Sequence, residues 1–360
     1  MPIPLFDTAT PLEPLQAELR GAIERVLDGG RFILGPEVES FESEFAHYVG
    51  ARDAIGVANG TDAITIALRA MGVGPGDEVV VPSFTFYATA EAVPHTGATA
   101  VYADIDPATS MLSAETVRAA LTPRTKAVIA VHLFGNLAPV AEIEALGVPV
   151  LEDAAQAAGS LAADGRRPGA LATAATFSFY PSKNLGAFGD GGAITTSDAA
   201  IAERVRMLRF HGSRDKERFE LVGYNSRLDA IQAAILRVLL PHVDGWASAR
   251  QAVGTAYEQA GLGEHVTLPT VAPGARAAWH LYVVRTPDPE ALAGTLANAG
   301  IETRGYYRVP IHRQAPLRSE ASLPHTDAAS ATNLALPMGP ALTSEQVQQV
   351  AAAVAAALNP

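Results

Sequence analysis

An α/β fold, with a mostly parallel central sheet flanked by helices and a smaller C-terminal α+β domain, is what this sequence predicts. Three observations carry the prediction. Short runs that are apolar throughout, rather than alternating, suit strands covered on both faces. Helix-like segments separate those runs, as parallel neighbours require. After Ser197 long helices take over, and the last third returns to mixed α+β.

In order, residues 11–30 read as an amphipathic helix with Leu15, Leu19, Ile23 and Val26 on one face. Residues 36–49 follow Gly35 as a second, with Val38, Phe41, Phe45 and Tyr48 at the same spacing. Apolar strand-like runs then fall at 54–58, 78–81, 99–103, 126–131, 148–151 and 174–180. Helical segments at 62–71, 85–93, 114–121 and 140–146 lie between them. Residues 198–210, 228–240 and 243–260 read as helices, 279–285 as a strand, and 289–299 and 344–358 as helices. The 360 residues exceed a single typical domain, and the pattern change puts a boundary near 240–260. Residues 1–245 then form the large domain and residues 246–360 the smaller one. Helix 228–240 is apolar around much of its surface, which suits burial at an interface or against the core.

Hydrophobic content of 48% and charged content of 18% are enough for a substantial core. A net charge of −12 argues against general nucleic-acid binding, and an anionic ligand would need locally placed cations and helix N-termini. There is no cysteine, which excludes disulfides, thiolate metal sites and a Cys nucleophile. The nine histidines form neither H-x-x-x-H nor H-E-x-x-H, so no metal site is expected. With no signal-like start and no apolar run of membrane-span length, a cytoplasmic protein is expected.

The chemistry centres on residues 178–192, where Lys183 stands between an aromatic strand run and a glycine-dense turn. An amine held there is open to desolvation and can attack a carbonyl to form a Schiff base. Pyridoxal phosphate is the natural carbonyl partner. It needs a lysine, an acid for the pyridinium nitrogen, a phosphate cradle and a flat face on the ring. The run 148–153 ends in Glu152 and Asp153; a strand-end acid suits a ligand at the carboxyl edge of an open sheet, although Asp153 also reads as a helix cap. Side-chain alternation turns Glu152 away when Asp153 faces the ligand. Gly60 and Thr61 open a helix after a short strand, where N–H groups offer a dianion donors; an ordinary Asn-Gly turn would read the same. Ser178 is a further hydroxyl, and Phe86, in an aromatic cluster after residues 78–81, is the choice for the ring face.

The ordered motifs NGTDA, PSFTFYATA, LEDAAQAAGS, FSFYPSKNLGAFGDGGA, FHG and GYNSRLDAIQAAIL resemble the DegT/StrS family of pyridoxal-phosphate-dependent sugar-nucleotide aminotransferases. The resemblance runs from about Phe6 to the C-terminal helix and implies the fold-type-I architecture of aspartate aminotransferase. It implies Lys183 as the Schiff-base lysine, Asp153 as the pyridinium partner and Gln156 beside the ring's phenolic oxygen. Phe86 becomes the stacking aromatic, and Gly60, Thr61 and Ser178 phosphate contacts. Asn225 is expected to reach the cofactor of the neighbouring subunit in a homodimer with shared sites. L-glutamate is the expected amino donor. Residues 277–285 and 300–314 resemble the substrate-facing region and bring in Tyr307 and His312, although Gly305-Tyr306-Tyr307-Arg308 is a less standard version of it. His211, in FHG, is a further candidate substrate contact that also reads as a core residue, and for the diphosphate of a sugar nucleotide the cationic candidates are Arg214, Lys216 and Arg218 in the loop after it, with Arg227 and Arg31; each also reads as a solvated charge. Residues 225–244 look closer to relatives that aminate C3 of dTDP-3-keto-6-deoxyhexoses than to those acting at C4.

Two other classes fit less well. A dinucleotide-binding dehydrogenase needs G-x-G-x-x-G between the first strand and helix, and Gly72-Val73-Gly74-Pro75-Gly76 has the wrong spacing and leads into a strand. A cofactor-holding regulator usually carries an added DNA-binding module, and no such basic stripe precedes the core.

Overall fold

The computed structural model describes residues 2–358. Among the described residues nine strands form two sheets: β1 Asp53–Val57, β2 Glu78–Pro82, β3 Thr99–Ala103, β4 Thr125–Val131, β5 Val150–Asp153, β6 Ala174–Ser178, β7 Gly192–Thr196, β8 Tyr282–Arg285 and β9 Asn333–Leu336. The first seven pair in the order β1-β7-β6-β5-β4-β2-β3. Only β7 runs against the others, pairing antiparallel with both β1 and β6. The apolar runs become these strands because helices cover them: Val79, Val80, Val81, Val128, Ile129, Val150 and Leu151 are all fully buried. The chain leaves β3, passes β2 and enters β4 on its other side, so the order reverses there, and a crevice opens at the carboxyl ends of the strands.

A second core joins the helices Gln16–Gly29 and Pro36–Val49 to the helix Ala230–Leu239. Phe45 anchors it, with Phe177 at 4.9 Å and Phe179 at 5.4 Å, both edge-on. The apolar helix expected at 228–240 is therefore buried within its own chain, where Ile235 and Leu239 face these two helices' core. The sequence left open whether an interface or the core buried it, and the core does.

A third core packs β8 and β9 against the helices Val243–Gln259, Pro289–Asn298 and Ser344–Leu358. Ile3 belongs to it, with its N–H donating to the Gly300 carbonyl at 2.8 Å. This brings Phe6 across the molecule, its ring 6.0 Å from that of His280. Strand β9 and the helix Pro324–Thr332 had no clear periodic signal; the helix is short and mostly small or polar residues. No helix among the described residues is long and apolar enough to cross a membrane.

Candidate active site

Five strands running the same way deliver their carboxyl ends to one cavity of roughly 350 Å³. Gly60 and Thr61 follow β1, Thr85 and Phe86 follow β2, Val131 ends β4, Asp153 ends β5 and Ser178 ends β6. Lys183 reaches the same cavity from the turn after β6, where its N–H donates to the Tyr180 carbonyl at 2.8 Å. That turn is held by Phe179, clamped edge-on against Phe41 and Phe45. Burial pushes the Lys183 ammonium down from 10.5 to about 8, while the Asp153 carboxylate pulls the other way. The free base that attacks carbonyls is therefore within easier reach near neutrality than for an ordinary lysine, although the protonated form still dominates there.

Asp153 is 6% exposed. Its Oδ2 accepts from the Thr89 hydroxyl at 2.8 Å and its Oδ1 from the Ala155 N–H at 3.2 Å. Because Thr89 gives its one proton to Asp153, the Thr85 hydroxyl at 3.1 Å is the donor to Thr89, and a two-threonine relay fixes the carboxylate. Glu152 faces the other side of the sheet, as alternation requires. Ala138 donates to His132 Nδ1, so the imidazole proton sits on Nε2 and points at Glu152, 2.9 Å away.

Opposite Asp153 lies the cradle. The Asn59 side chain caps the helix Gly60–Ala70 by accepting from Asp62 N–H at 2.8 Å, which leaves the first N–H groups, of Gly60 and Thr61, with no intrahelical acceptor. The packing needs glycine: a Cβ on Gly60 would stand 2.8 Å from Ser178 Cβ, and one on Gly192 would stand 2.5 Å from the Asn59 carbonyl oxygen. Ser178 accepts weakly from Tyr180 N–H at 3.4 Å and keeps its own proton to donate. Gln156 accepts from Phe134 N–H at 2.7 Å through Oε1, so its amide is oriented to donate to the Tyr307 hydroxyl at 3.2 Å. Burial pushes the Tyr307 phenol up, against the Gln156 N–H, so it stays a neutral hydroxyl. Phe86, 56% exposed, stands on the cavity wall with its ring 6.0 Å from that of Tyr307. An amine, an acid, a dianion cradle and a flat aromatic thus face one space, and these residues fit pyridoxal phosphate.

The structure brings together Lys183, Asp153, Gln156, Gly60, Thr61, Ser178, Phe86 and Tyr307. It does not bring the remaining candidates to this cavity. His312 is fully buried, bonded through Nδ1 to Ser83 Oγ at 2.7 Å, and ties the segment after Tyr307 to the end of β2. Asn225 is exposed and accepts from the Arg227 guanidinium. His211 and Arg31 are exposed; Arg214 is paired with Glu203 and Glu220, and Lys216 lies over the Phe210 ring at 4.9 Å. Thr89, Phe6, His280 and Tyr306 line the cavity and were not singled out from the sequence. Thr89 lies inside the aromatic motif PSFTFYATA, where the rings drew attention from the hydroxyls.

A family model described as the DegT/DnrJ/EryC1/StrS aminotransferase family matches residues 14–355. The chain belongs to that family. Among curated relatives, the dTDP-3-amino-3,4,6-trideoxy-alpha-D-glucose transaminase of Streptomyces venezuelae is 46% identical over 362 residues, covering 98% of this chain and 95% of the relative. A protein of Geobacillus stearothermophilus named "Pleiotropic regulatory protein" is 43% identical over 366 residues, covering 99% of this chain and 98% of that one. An X-ray crystal structure of S. venezuelae DesV in complex with a ketimine intermediate superposes with a TM-score of 0.97 at 44% identity, covering 100% of this chain and 99% of that one. Family membership makes the expected class, an aminotransferase on a mostly parallel α/β sheet, the observed one.

Proposed function

We propose that this protein moves an amino group from L-glutamate to a keto-sugar nucleotide, using pyridoxal phosphate, with a dTDP-3-keto-6-deoxyhexose as the acceptor. The observation that carries it is the Lys183–Asp153 pair facing a helix N-terminus across one cavity, in a chain of this family. The S. venezuelae relative's name supports a 3-amino dTDP-sugar product.

When bound, the cofactor would supply an aldehyde that exchanges amino groups and a ring that takes up the electron pair left on the substrate carbon when its proton is removed. The protein's own part is positional and acid–base. Gly60 and Thr61 N–H and the Ser178 hydroxyl would hold the phosphate, and Phe86 would flank the ring. Asp153, fixed by Thr89, would keep the ring nitrogen protonated, and Gln156 would donate near the phenolic oxygen. Lys183 Nζ would tether the cofactor, take the proton from the donor's Cα when released, and later deliver one to the sugar carbon that receives the amine.

Incubation with glutamate and a panel of dTDP- and UDP-keto-sugars, read by mass spectrometry and NMR, tests this. The expected product is a 3-amino dTDP-sugar. Amination only at C4 would move the acceptor and keep the class. No turnover with any keto-sugar by cofactor-loaded protein would favour the regulator reading that one relative's name suggests.

The proposal includes a homodimer in which Asn225 serves the neighbouring site. Phe32, Ile33, Phe188, Phe219 and Val222 are large apolar side chains left exposed on the single chain, which supports a covered face. Inactive Lys183→Ala and inactive Asn225→Asp subunits, mixed under exchange, are expected to regain activity because one hybrid site is intact. No recovery after demonstrated exchange would separate Asn225 from the partner's site.

A further inference from the structure

Lys183 faces two spaces. A second cavity of roughly 230 Å³ shares Phe6, Ser182 and Lys183 with the first and continues to Asp7, Asn184 and Arg250. Arg250 comes from the helix Val243–Gln259 and is 8% exposed. One of its terminal nitrogens donates to the Trp279 carbonyl at 3.0 Å, and its Nε has no hydrogen-bond partner among the described residues. No described carboxylate forms an ion pair with it. Asp7, on the same cavity, is engaged elsewhere: its Oδ1 accepts from Ala9 and Thr10 N–H at 3.0 and 2.9 Å. Burial alone pushes the Arg250 guanidinium down to about 10.

One unfilled acceptor lines the same cavity as this unfilled donor. Asn184 donates its amide to the Ala278 carbonyl at 3.0 Å, so its orientation is set and its buried Oδ1 is left without a donor. His280, on the first cavity, also has a buried Nδ1 with no partner among the described residues. Burial, with the Lys183 and Arg250 charges against it, holds this imidazole neutral. An uncompensated buried cation and orphaned polar atoms are each costly, and native folds retain such groups where a ligand completes them. A ligand that completes this cavity brings an anion for Arg250 and an N–H donor for Asn184 Oδ1. A free amino acid carries both.

We propose that Arg250 recognises a carboxylate of the amino donor, received beside Lys183 through this second cavity. The inference rests on the reading of the site as an aminotransferase fed by glutamate. It assigns the donor and the sugar nucleotide different entrances to one lysine, and so predicts that their recognition separates by mutation.

The test follows the two half-reactions by the visible band of the cofactor-loaded protein, with Arg250→Gln and Arg250→Lys beside wild type. Arg250→Gln is expected to lower kcat/KM for glutamate on the order of 100-fold, as loss of a buried charge-assisted pair does. Return of the amine to the keto-sugar is expected to change by less than about threefold. In cofactor-free protein, calorimetric titration with glutarate is expected to show binding to wild type and none to Arg250→Gln. Because the variant risks misfolding, wild type is also assayed with glutamine and isoglutamine. One of these amides is expected to be on the order of 100-fold poorer than glutamate, and Arg250→Lys to shrink that gap. Equal use of glutamate and both amides by wild type overturns the proposal, as does an equal loss in both half-reactions of Arg250→Gln. Binding of inorganic phosphate, but not glutarate, at an Arg250-dependent site also overturns it. A wild type that accepts no amino acid at all overturns the donor reading instead.

Discussion

Glu152 and Asp153 are adjacent carboxylates at the end of one strand, and they face opposite sides of the sheet. Glu152 is fully buried and accepts from four donors: His132 at 2.9 Å and the N–H groups of Gly169, Leu171 and Ala172 at 3.1, 2.9 and 3.0 Å. Those four donors occupy its acceptor sites, so Glu152 binds the loop before β6 to the sheet and has nothing left for a ligand. Asp153 is nearly as buried but accepts from only Thr89 and Ala155, and it lines the cavity that Lys183 shares. Burial is common to both. Unused acceptor capacity aimed into a cavity is what marks Asp153, and not Glu152, as the carboxylate proposed to act on a ligand.

The largest effects separate the two faces. Asp153→Asn keeps the shape and removes the charge, so turnover is expected to fall on the order of 10²-fold or more while the unfolding free energy stays within about 1 kcal/mol of wild type. Glu152→Ala leaves the buried His132 and Gly169 N–H groups and the partly buried N–H groups of Leu171 and Ala172 without their acceptor, and is expected to destabilise the protein by about 3–5 kcal/mol. Urea unfolding of both variants, with activity measured well below the midpoint, makes the comparison. Comparable losses of stability in both would erase the distinction.

Much of this site was legible because its residues obey local rules. Alternation along β5 separated Glu152 from Asp153, and the Asn59-Gly60 helix start marked a candidate anion cradle. What was missed depends on contacts between segments distant in sequence. Thr89 reaches Asp153 across 64 positions, and Phe6 reaches His280 only because Ile3 pairs with the last third of the chain. His312 shows the converse error. A histidine in a substrate-like motif is instead spent on Ser83, which no periodicity reveals.

A smaller effect lies in the pH dependence of the cofactor-free protein. Lys183 has a folded-state pKa of about 8 against 10.5, so the unfolded chain holds this proton more tightly. Below about 8 the lysine is charged in both states and its burial destabilises the fold by a constant amount. Between about 8 and 10.5 the folded protein releases the proton first, and stability rises with pH. Lys183→Met is therefore expected to be more stable than wild type near neutrality by roughly 2–3 kcal/mol, a gap that closes by about pH 10.5. Parallel unfolding curves from pH 7 to 10.5 check it; a gap that does not change with pH would mean the amine is not desolvated in the empty site.

The smallest effect is expected where the sequence placed its substrate cations, in the loop after His211. Arg214 is exposed and already held by Glu203 and Glu220, and those two hydrogen-bonded carboxylates raise its pKa while cancelling its field at a distance. Lys216 rests over the Phe210 ring rather than reaching toward the cavity. An approaching diphosphate meets a neutralised cluster, screened further by salt within about 10 Å. Neutralising Arg214 and Lys216 together is therefore expected to change KM for the sugar nucleotide, and the rate with glutamate, by less than about threefold each. Steady-state kinetics at low and high salt measure both. A loss above about tenfold confined to the sugar nucleotide would put the loop in contact with the acceptor. Because the loop lies off the cavity of its own chain, that contact would have to be made at a partner's site, and Arg214 would join Asn225 among the residues proposed to work in trans.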